Sequence, residues 1–369
     1  MKVTPGQDSV EIRRNYTKKC KRITRENTSQ MTKKRMNVVK AKNNSLTDIQ
    51  KEINKLHGDN SLVCLSDMDY DIDRIPTGII GLDHILRGGL PKGKIALSWG
   101  VEGGGKSAIG IQFAAQAQKY GRVVYIDWEN ALDPAKAENS GVNMDELFVS
   151  QPNSAEDTLE IIEMCLGADD VSAIIIDSVA AMATEAEIAG DFGDAHVAGL
   201  ARLLSQGLRK INQFMMENRS ETILFFINQQ RENIGGYGPA PQKTTPGGKA
   251  LKYYSATTME VARTGNITKG TDVIGQTSQV TLKKSKFAPP FQKASFDIYF
   301  DFGISNESAI IDLAIKAGLI TSGGGGWMTD TATGENLGQG KPNVIAHLEE
   351  NPEILERLTS KLLDTGRSI

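Results

Sequence analysis

The chain has 369 residues, enough for one large core and a smaller second domain. Its hydrophobic content of 39% and charged content of 24% are typical of a soluble globular protein, and no apolar run is long enough to span a membrane. The first residues lack the apolar stretch of a secretory signal, and the three cysteines form no C-x-x-C pair. We therefore expect a cytoplasmic protein with reduced thiols and no membrane partner.

The net charge of −3 is distributed unevenly along the chain. Residues 1–45 carry 13 Lys or Arg and 3 Asp or Glu, so this segment alone is +10 and the rest of the chain is −13. A basic segment with few apolar residues predicts a disordered tail. Such a tail could contact nucleic acid through its phosphates, or it could be a solubilising or targeting segment.

A short helix and a strand are predicted directly after the tail. The capping-box pattern Thr47-x-x-Gln50 precedes apolar residues at helical spacing, and Gly58 ends the helix. Residues 61–65 then predict a strand. Because so small a pair of elements buries little by itself, residues 46–75 are interpreted as an oligomerisation element that packs on the core or on another subunit.

Residues 76–304 alternate between apolar strands and helices, which is the pattern of an α/β core domain. Four strands are predicted, at 95–99, 123–127, 173–177 and 223–228. Near-continuous apolar strands separated by helices indicate a mainly parallel central sheet that is covered on both faces. Three later strands, at 258–263, 278–285 and 294–300, would extend the sheet in an antiparallel manner. Residues 305–369 are predicted to form a small C-terminal α+β domain.

The most specific motif is a glycine-rich loop between a predicted strand and a predicted helix. It matches G-x-x-x-x-G-K-[ST] and consists, with the residue after it, of Gly100, Val101, Glu102, Gly103, Gly104, Gly105, Lys106, Ser107 and Ala108. Backbone N–H groups of such a P-loop surround phosphates at the amino end of the helix. Lys106 is expected to reach the β- and γ-phosphates and Ser107 to bind Mg²⁺. The motif therefore predicts a nucleoside triphosphatase.

Polar side chains end the other predicted strands. Ligands of an open α/β sheet bind beyond the carboxyl ends of its strands, so Glu129, Asp177 and Gln229 are expected at one edge. Asp177 has a Walker-B setting and would hold Mg²⁺, Glu129 could be the general base, and Gln229 could sense the γ-phosphate. Each also has an ordinary structural interpretation. Glu129 could be an acidic residue at a helix start, Asp177 could cap the end of its strand, and Gln229 could hydrogen-bond to the backbone.

Several stretches together resemble the RecA family of bacterial DNA recombinases and their phage relatives. The stretches are Pro76–Asp83, the P-loop, Ile126–Pro134, Ile176–Met182, Glu187–Asp194, Phe226–Arg231, Thr244–Tyr253 and Lys284–Phe291. The likeness runs in order from about Leu46 to Leu363 and leaves only the basic tail outside. Its Glu-x-Ala-Leu-Asp-Pro and Thr-Thr-x-Gly-Gly segments are far more specific than a P-loop alone.

The resemblance implies a DNA-dependent ATPase that forms a helical filament on single-stranded DNA and promotes homologous pairing and strand exchange in recombination and repair. It implies ATP and Mg²⁺ as cofactors, with ATP bound between adjacent subunits. By similarity, Lys284 and Lys286 reach the ATP of a neighbouring subunit, while Asp133 and Phe300 lie near the adenine. The helix and strand in residues 46–75 would pack on the next subunit.

Two segments are similar to the DNA-binding loops of the family, one around 187–195 and one at 231–245. By this similarity the residues assigned to DNA binding are Arg202, Arg209, Arg231, Ile234, Gly235, Gly236, Tyr237, Lys243, Gly247 and Gly248. Lys243 could meet phosphates, and Tyr237 or Ile234 could wedge between bases. Gly247 and Gly248 would allow a close approach of the backbone to single- or double-stranded DNA.

The resemblance allows further partners: a single-strand-binding protein, loading mediators, or a self-cleaving repressor of the SOS response. Two other function classes stay open, a RecA-fold motor such as a hexameric helicase relative and a non-catalytic filament scaffold. The lysine pair argues against the first class, and the intact Lys106, Glu129 and Asp177 argue against the second. The basic tail, and a carboxyl end without the acidic tail of cellular members, favour a phage or plasmid version.

Overall fold

The computed structural model describes residues 45–58, 61–67, 72–191, 198–232 and 243–367. The chain divides into two compact units, residues 1–71 and 72–369. The division falls four residues before the predicted start of the core at residue 76. Among the described residues, no helix combines the length and the apolar character needed to cross a membrane.

In the first unit, helix α1 (Leu46–His57) begins with a capping box that differs from the predicted one. The Ser45 side chain accepts from the backbone N–H of Asp48 at 3.3 Å, and the Asp48 carboxylate accepts from the backbone N–H of Ser45 at 3.3 Å. The predicted Thr47–Gln50 pair is therefore wrong, because Ser45 already satisfies the free N–H groups of the first turn. Gly58, with φ of 101°, follows the helix as predicted.

The strand predicted at 61–65 is wrong for this chain on its own. Within residues 61–67 the backbone has no strand, and Leu65–Asp67 forms a 3-10 turn. A β-strand needs a partner strand for its backbone hydrogen bonds, and the described part of this unit supplies none.

In the second unit, a two-stranded antiparallel ribbon precedes a nine-stranded sheet. The ribbon consists of β1 (Arg74–Ile75) and β2 (Leu90–Pro91). In chain order, the strands of the large sheet are β3 (Ile95–Gly100), β4 (Arg122–Asp127), β5 (Leu147–Ser150), β6 (Val171–Asp177), β7 (Ile223–Gln229), β10 (Thr257–Lys269), β11 (Asp272–Ser285), β12 (Lys293–Tyr299) and β13 (Gly303–Ser305). A separate antiparallel pair, β8 (Arg231–Glu232) and β9 (Lys243–Thr244), follows β7.

The spatial order of the large sheet is β13-β12-β11-β10-β3-β7-β6-β4-β5. All pairings from β10 to β5 are parallel, which confirms the predicted parallel core. The pairings of β11 with β10 and β12 are antiparallel, as predicted, and an additional strand, β13, pairs with β12 in the same manner. The exception is β10, which joins β3 in parallel because the chain returns to the amino edge of the sheet before β10 begins.

Helices cover both faces of this sheet. They are α2 (Ile80–Ile85), α3 (Lys106–Ala117), α4 (Pro134–Asn139), α5 (Ala155–Cys165), α6 (Glu185–Ala189), α7 (Gly199–Glu217) and α8 (Ala250–Tyr254). Phe225 packs into the apolar cluster that contains Phe113 of α3, and Phe226 into the one that contains Leu204 of α7. Successive residues of a strand point to opposite faces, so the sheet has two cores. The apolar strands are explained by burial on both sides.

The C-terminal part of the second unit is an α+β domain, as predicted. It consists of α9 (Glu307–Lys316), β14 (Ile320–Ser322), β15 (Trp327–Asp330), β16 (Asn336–Gln339), α10 (Lys341–Glu350) and α11 (Pro352–Arg367). The three strands are antiparallel in the order β14-β15-β16. Its apolar cluster includes Ile311 and Leu358 together with Ile80 of α2, so the domain packs on the core that contains the nine-stranded sheet.

Candidate functional site

The P-loop connects β3 to α3, and close contacts require glycine at two of its positions. Gly105 has φ of 96°, and an added Cβ there would lie 2.4 Å from Ile298 Cδ1, so both the left-handed backbone and the crowding favour glycine. A Cβ on Gly100 would lie 2.0 Å from the carbonyl oxygen of Val261. The loop therefore delivers its backbone N–H groups to the amino end of α3, which is an anion-binding geometry.

Lys106 is nearly buried within this loop, with 6% of its surface exposed. Its Nζ donates to the carbonyl oxygen of Val101 at 2.7 Å. Burial lowers the pKa of Lys106, while the carboxylates of Asp177, Glu129 and Glu102 act in the opposite direction. A desolvated ammonium at the amino end of a helix is suited to the negative charge of a phosphate.

Asp177, at the end of β6, is the acidic centre of the site. The Tyr125 hydroxyl donates to Asp177 Oδ2 at 2.8 Å, whereas the buried Oδ1 has no hydrogen-bond partner within the described part of the chain. Burial raises the pKa of Asp177, and the hydroxyls of Ser107 and Tyr125 oppose that rise.

This donor set fits Mg²⁺, a hard cation that prefers oxygen ligands. It offers one buried carboxylate oxygen without a partner and a nearby serine hydroxyl. Among the described residues, no group of three or more His, Cys, Asp or Glu could hold a metal ion by itself. Mg²⁺ is typically held by one or two protein ligands together with substrate phosphates and water, so Asp177 and Ser107 suffice on the protein side.

Glu129 lies at the meeting point of three strand ends. Its Oε1 accepts from the Ser178 hydroxyl at 2.5 Å and from Gln229 Nε2 at 2.7 Å. These side chains follow β4, β6 and β7, so the parallel sheet brings Glu129 and Gln229 into direct contact, as expected from the topology. The sequence analysis missed Ser178 and Tyr125, although both flank a motif residue in the chain or in the sheet.

A cavity of about 250 Å³ begins beside the P-loop. Ser107, Ala108, Asp133 and Phe300 contribute to its lining, and Phe300 is about half exposed. Asp133 also caps helix α4, and its Oδ2 lies 3.8 Å from the Lys136 ammonium. The structure thus brings together the two residues that were predicted to lie near the adenine, in a partly apolar cleft of the kind that binds small molecules.

Lys284 and Lys286 lie away from the P-loop of their own chain. The Lys286 N–H donates to the carbonyl oxygen of Ala256, whose own N–H donates to Ile95, the first residue of β3. The P-loop instead follows Gly100, the last residue of β3. The lysine pair is therefore at the amino edge of the parallel strands, opposite the carboxyl edge where Glu129 and Asp177 meet.

Backbone carbonyl groups of α8 hold the Lys284 ammonium. Lys284 Nζ donates to the carbonyl oxygens of Lys252 at 2.8 Å and Tyr253 at 3.0 Å. Burial lowers the pKa of Lys284, and the charge of Lys286 acts in the same direction. Two adjacent ammonium groups without a carboxylate partner in the described residues favour an anion supplied from outside the chain.

Arg202 and Arg209 are both exposed, and they project from the side of α7 opposite its buried leucines. Gly247 and Gly248 have positive φ of 77° and 72°. Added Cβ atoms there would lie 2.6 Å from Leu204 Cδ1 and 3.1 Å from Ala201 Cβ, respectively. In the described structure these glycines permit a close approach to α7, a packing role that the sequence analysis did not foresee.

The second loop assigned to DNA binding is only partly described. Arg231 lies in β8 and Lys243 in β9, and the two strands pair in an antiparallel manner. Ile234, Gly235, Gly236 and Tyr237 lie outside the described residues, as does part of the loop around 187–195.

Gln276 of β11 is a residue of the site that sequence reasoning missed. Its Nε2 donates to the carbonyl oxygen of Gly103 at 2.9 Å and to the Ser278 hydroxyl at 3.2 Å. Both side chains are buried on the same face of the strand, two residues apart. The polar residues at alternate positions of this strand were the available signal in the sequence. The hydrogen bond from Gln276 to Gly103 anchors the P-loop to the antiparallel half of the sheet.

A mainly parallel sheet, a P-loop and acidic strand ends define the chain as an α/β nucleoside triphosphatase of the P-loop class. Residues 44–305 match the family model for the RecA N-terminal domain, and residues 308–365 match that for the RecA C-terminal domain. The chain therefore belongs to the RecA family. It is a DNA-dependent ATPase with a recombinase and repair function, as the sequence resemblance implied.

Three curated relatives show how far the similarity extends. Protein RecA of a Nocardioides species is 42% identical over 328 residues, which cover 88% of this chain and 91% of the relative. Protein RecA of Legionella pneumophila is 42% identical over 325 residues, covering 87% and 92%. Protein RecA of an Arthrobacter species is 43% identical over 321 residues, covering 85% and 90%. The basic segment before residue 44 lies outside the family models.

Proposed function

We propose that this protein binds ATP and Mg²⁺ at the P-loop and Asp177, assembles as a filament on single-stranded DNA, and promotes homologous pairing and strand exchange. The observation that carries the proposal is the contact of Gln229 with Glu129 beside the P-loop. This contact joins a candidate base to the strand that leads into a DNA-binding loop. ATP binding and DNA binding are thereby linked through one side chain.

In this proposal, the P-loop N–H groups and Lys106 bind the phosphates, and Ser107 and Asp177 hold Mg²⁺. The metal supplies charge neutralisation at the phosphates when it is bound. Glu129 takes the proton of the attacking water, and the hydrogen bond from Ser178 orients its carboxylate. The adenine lies in the cavity that Asp133 and Phe300 line.

Gln229 is the proposed coupling residue. Its Nε2 carries two N–H donors, one of which contacts Glu129 as described, and in the ATP-bound state the amide would turn toward the γ-phosphate. A shift of Gln229 to the phosphate would release Glu129 for water and reposition the start of the second DNA loop. A γ-phosphate-dependent order change of a loop is an established kind of molecular switch.

Assembly is the proposed role of the lysine pair and of the first unit. Lys284 and Lys286 would complete the ATP site of a neighbouring subunit, where their charge stabilises the transition state. Among the described residues, β5 is an edge strand that pairs only with β4, and it exposes about half of Phe148 and Val149. Residues 61–65 of a neighbouring copy would pair with this edge and there become the predicted strand.

The proposed DNA surface contains Arg202 and Arg209 together with the second loop and Gly248. The exposed arginines would bind phosphates, and the loop residues Ile234 and Tyr237 would separate bases. The family relationship supports this assignment, as does the position of the loop immediately after Gln229. The further partners expected from the resemblance, which are a single-strand-binding protein, loading mediators and a self-cleaving repressor, would bind the assembled filament.

ATP hydrolysis with and without single-stranded DNA tests the proposal directly. Glu129→Gln is expected to reduce the DNA-stimulated rate by about 10²–10⁴-fold while ATP still binds, because only the proton acceptor is lost. Glu138→Gln, which changes an exposed carboxylate on α4 nearby, is the matched control and is expected to keep the wild-type rate. A Glu129→Gln rate equal to that of the control would remove Glu129 from the role of base.

A further inference from the structure

Tyr125 contacts the site although no motif assigns it a role. It is the fourth residue of β4, and its side chain is fully buried, with 2% of its surface exposed. Its hydroxyl donates to Asp177 Oδ2 at 2.8 Å across the β4–β6 pairing.

This hydrogen bond makes the two oxygens of Asp177 unequal. Oδ2 accepts from Tyr125, while the buried Oδ1 makes no hydrogen bond within the described residues, and the Ser107 hydroxyl lies near the same carboxylate and acts to lower its pKa. A carboxylate can rotate about its terminal bond, and that torsion is broad when no partner fixes it. Tyr125 therefore selects one orientation of Asp177, in which Oδ1 is the oxygen that remains for a cation.

We propose that Tyr125 is a positioning residue that presents Asp177 Oδ1 to Mg²⁺ and so sets the Mg²⁺ affinity of the nucleotide complex. The inference rests on the proposed role of Asp177 in binding the metal. Partners that hydrogen-bond to a metal-ligating group orient it, and their loss typically costs about 10–100-fold in metal affinity. Removing the Tyr125 hydroxyl also leaves Oδ2 buried without a donor, which favours rotation of the carboxylate.

The test is an equilibrium titration of Mg²⁺ against a fluorescent ATP analogue, with the full chain and without DNA. Tyr125→Phe keeps the ring in place and is expected to raise the half-saturating Mg²⁺ concentration by about tenfold. Nucleotide affinity at saturating Mg²⁺ is expected to stay close to wild type. An unchanged half-saturating Mg²⁺ concentration in a folded Tyr125→Phe protein would overturn the proposal.

Thr158→Val is the matched control for the loss of a buried hydroxyl in the same region. Thr158 is fully buried, and its hydroxyl accepts from Trp128 Nε1 at 2.9 Å without touching Asp177. We expect this variant to lose thermal stability like Tyr125→Phe but to keep the wild-type Mg²⁺ titration. Equal Mg²⁺ shifts in both variants would reduce Tyr125 to a packing residue.

Asp177→Asn separates this inference from the proposed function beneath it. If Tyr125 acts through Asp177, then Tyr125→Phe adds no further Mg²⁺ shift in the Asp177→Asn background. Failure of Asp177→Asn itself to alter the Mg²⁺ titration would overturn the metal assignment and the inference together. Fluorotyrosine at position 125, which keeps the hydroxyl and the packing, provides a second variant and is expected to hold Mg²⁺ at least as well as wild type. Its weaker binding would count against the proposal.

Discussion

The two ends of strand β3 present opposite kinds of site. At the carboxyl end, Ser178 and Gln229 donate to Glu129, and the charges of Asp177 and Glu129 act on Lys106 of the P-loop. At the amino end, the Lys284 ammonium contacts only backbone carbonyl oxygens among the described residues, and Lys286 adds a second positive charge. One end is an arranged binding site, and the other is a pair of cations for which the described residues supply no carboxylate.

The difference indicates how the chain divides its chemistry. In the proposed function, phosphate binding, the metal and the base are provided by one subunit, because the parallel strands end at a single edge. The proposed charge that neutralises the transition state lies at the opposite edge and would reach phosphate in another copy. A head-to-tail contact of this kind repeats from copy to copy, and it produces the proposed filament when the rotation between copies does not close into a ring. Catalysis is thereby tied to assembly.

The largest expected effect comes from the lysine pair. The double variant Lys284→Ala, Lys286→Ala is expected to lose about 10³-fold of the DNA-stimulated ATPase rate, because cations that act on the transferred phosphate in trans have effects of that order. ATP binding to the isolated subunit is expected to persist, since the pair is remote from its own P-loop. Steady-state hydrolysis and nucleotide binding, measured on the same preparation, distinguish the two effects.

Mixing two inactive variants distinguishes action between subunits from action within one. The lysine double variant is mixed in equal amounts with Glu129→Gln. About a quarter of the interfaces then combine an intact base from one subunit with intact lysines from the next, so activity returns. Lys283→Ala is the matched control, because Lys283 is adjacent in β11 but pairs with Glu260 at 2.7 Å. A mixture no more active than its separate components would mean that the lysines do not act on ATP bound by a neighbouring subunit.

The same contrast explains what the sequence could predict. The strands of the parallel core were predictable because burial on both faces requires apolar runs such as the one through Phe225 and Phe226. Glu129 and Gln229 were predictable as neighbours because parallel strands end at one edge. The bond from Gln276 to Gly103 joins residues 173 positions apart, and it depends on which strands are adjacent. No local pattern encodes that order.

Elements that depend on a partner were the other failure. The strand predicted at 61–65 has the composition of a strand, yet the described chain forms a 3-10 turn at Leu65–Asp67. Local propensity for a strand is weak without a neighbouring strand to complete its hydrogen bonds. Tyr125 was overlooked for a related reason: it is an aromatic residue in an apolar strand, and only the β4–β6 pairing brings its hydroxyl to Asp177.

A second prediction concerns the link from the ATP site to DNA. Gln229→Ala is expected to bind ATP but to lose the ATP-dependent gain in DNA affinity, a coupling that typically amounts to about 5–150-fold. The measurement is the Kd for single-stranded DNA with and without a non-hydrolysable ATP analogue. Gln230→Ala is the control, because the contact of Gln230 with Gly100 is made by its backbone N–H. An undiminished gain in Gln229→Ala would show that the coupling runs through another element.

The smallest expected effect comes from the residue that anchors the P-loop to the antiparallel half of the sheet. Gln276→Ala removes a hydrogen bond to Gly103, and a net loss of about 1 kcal/mol corresponds to an increase of about fivefold in the Kd for ATP. Gln279→Ala, on the same strand but bonded to Ser295 at 3.2 Å, is expected to leave ATP binding unchanged.

How the Gln276→Ala effect divides between kcat and KM decides what the anchor does. If Gln276 only holds the loop in its phosphate-binding shape, ATP affinity falls and kcat stays near wild type, because ground state and transition state lose equally. A fall in kcat with unchanged affinity would instead mean that the position of the loop matters mainly in the transition state. That outcome would place β11, the strand that carries Lys284 at its other end, among the elements that stabilise the transition state.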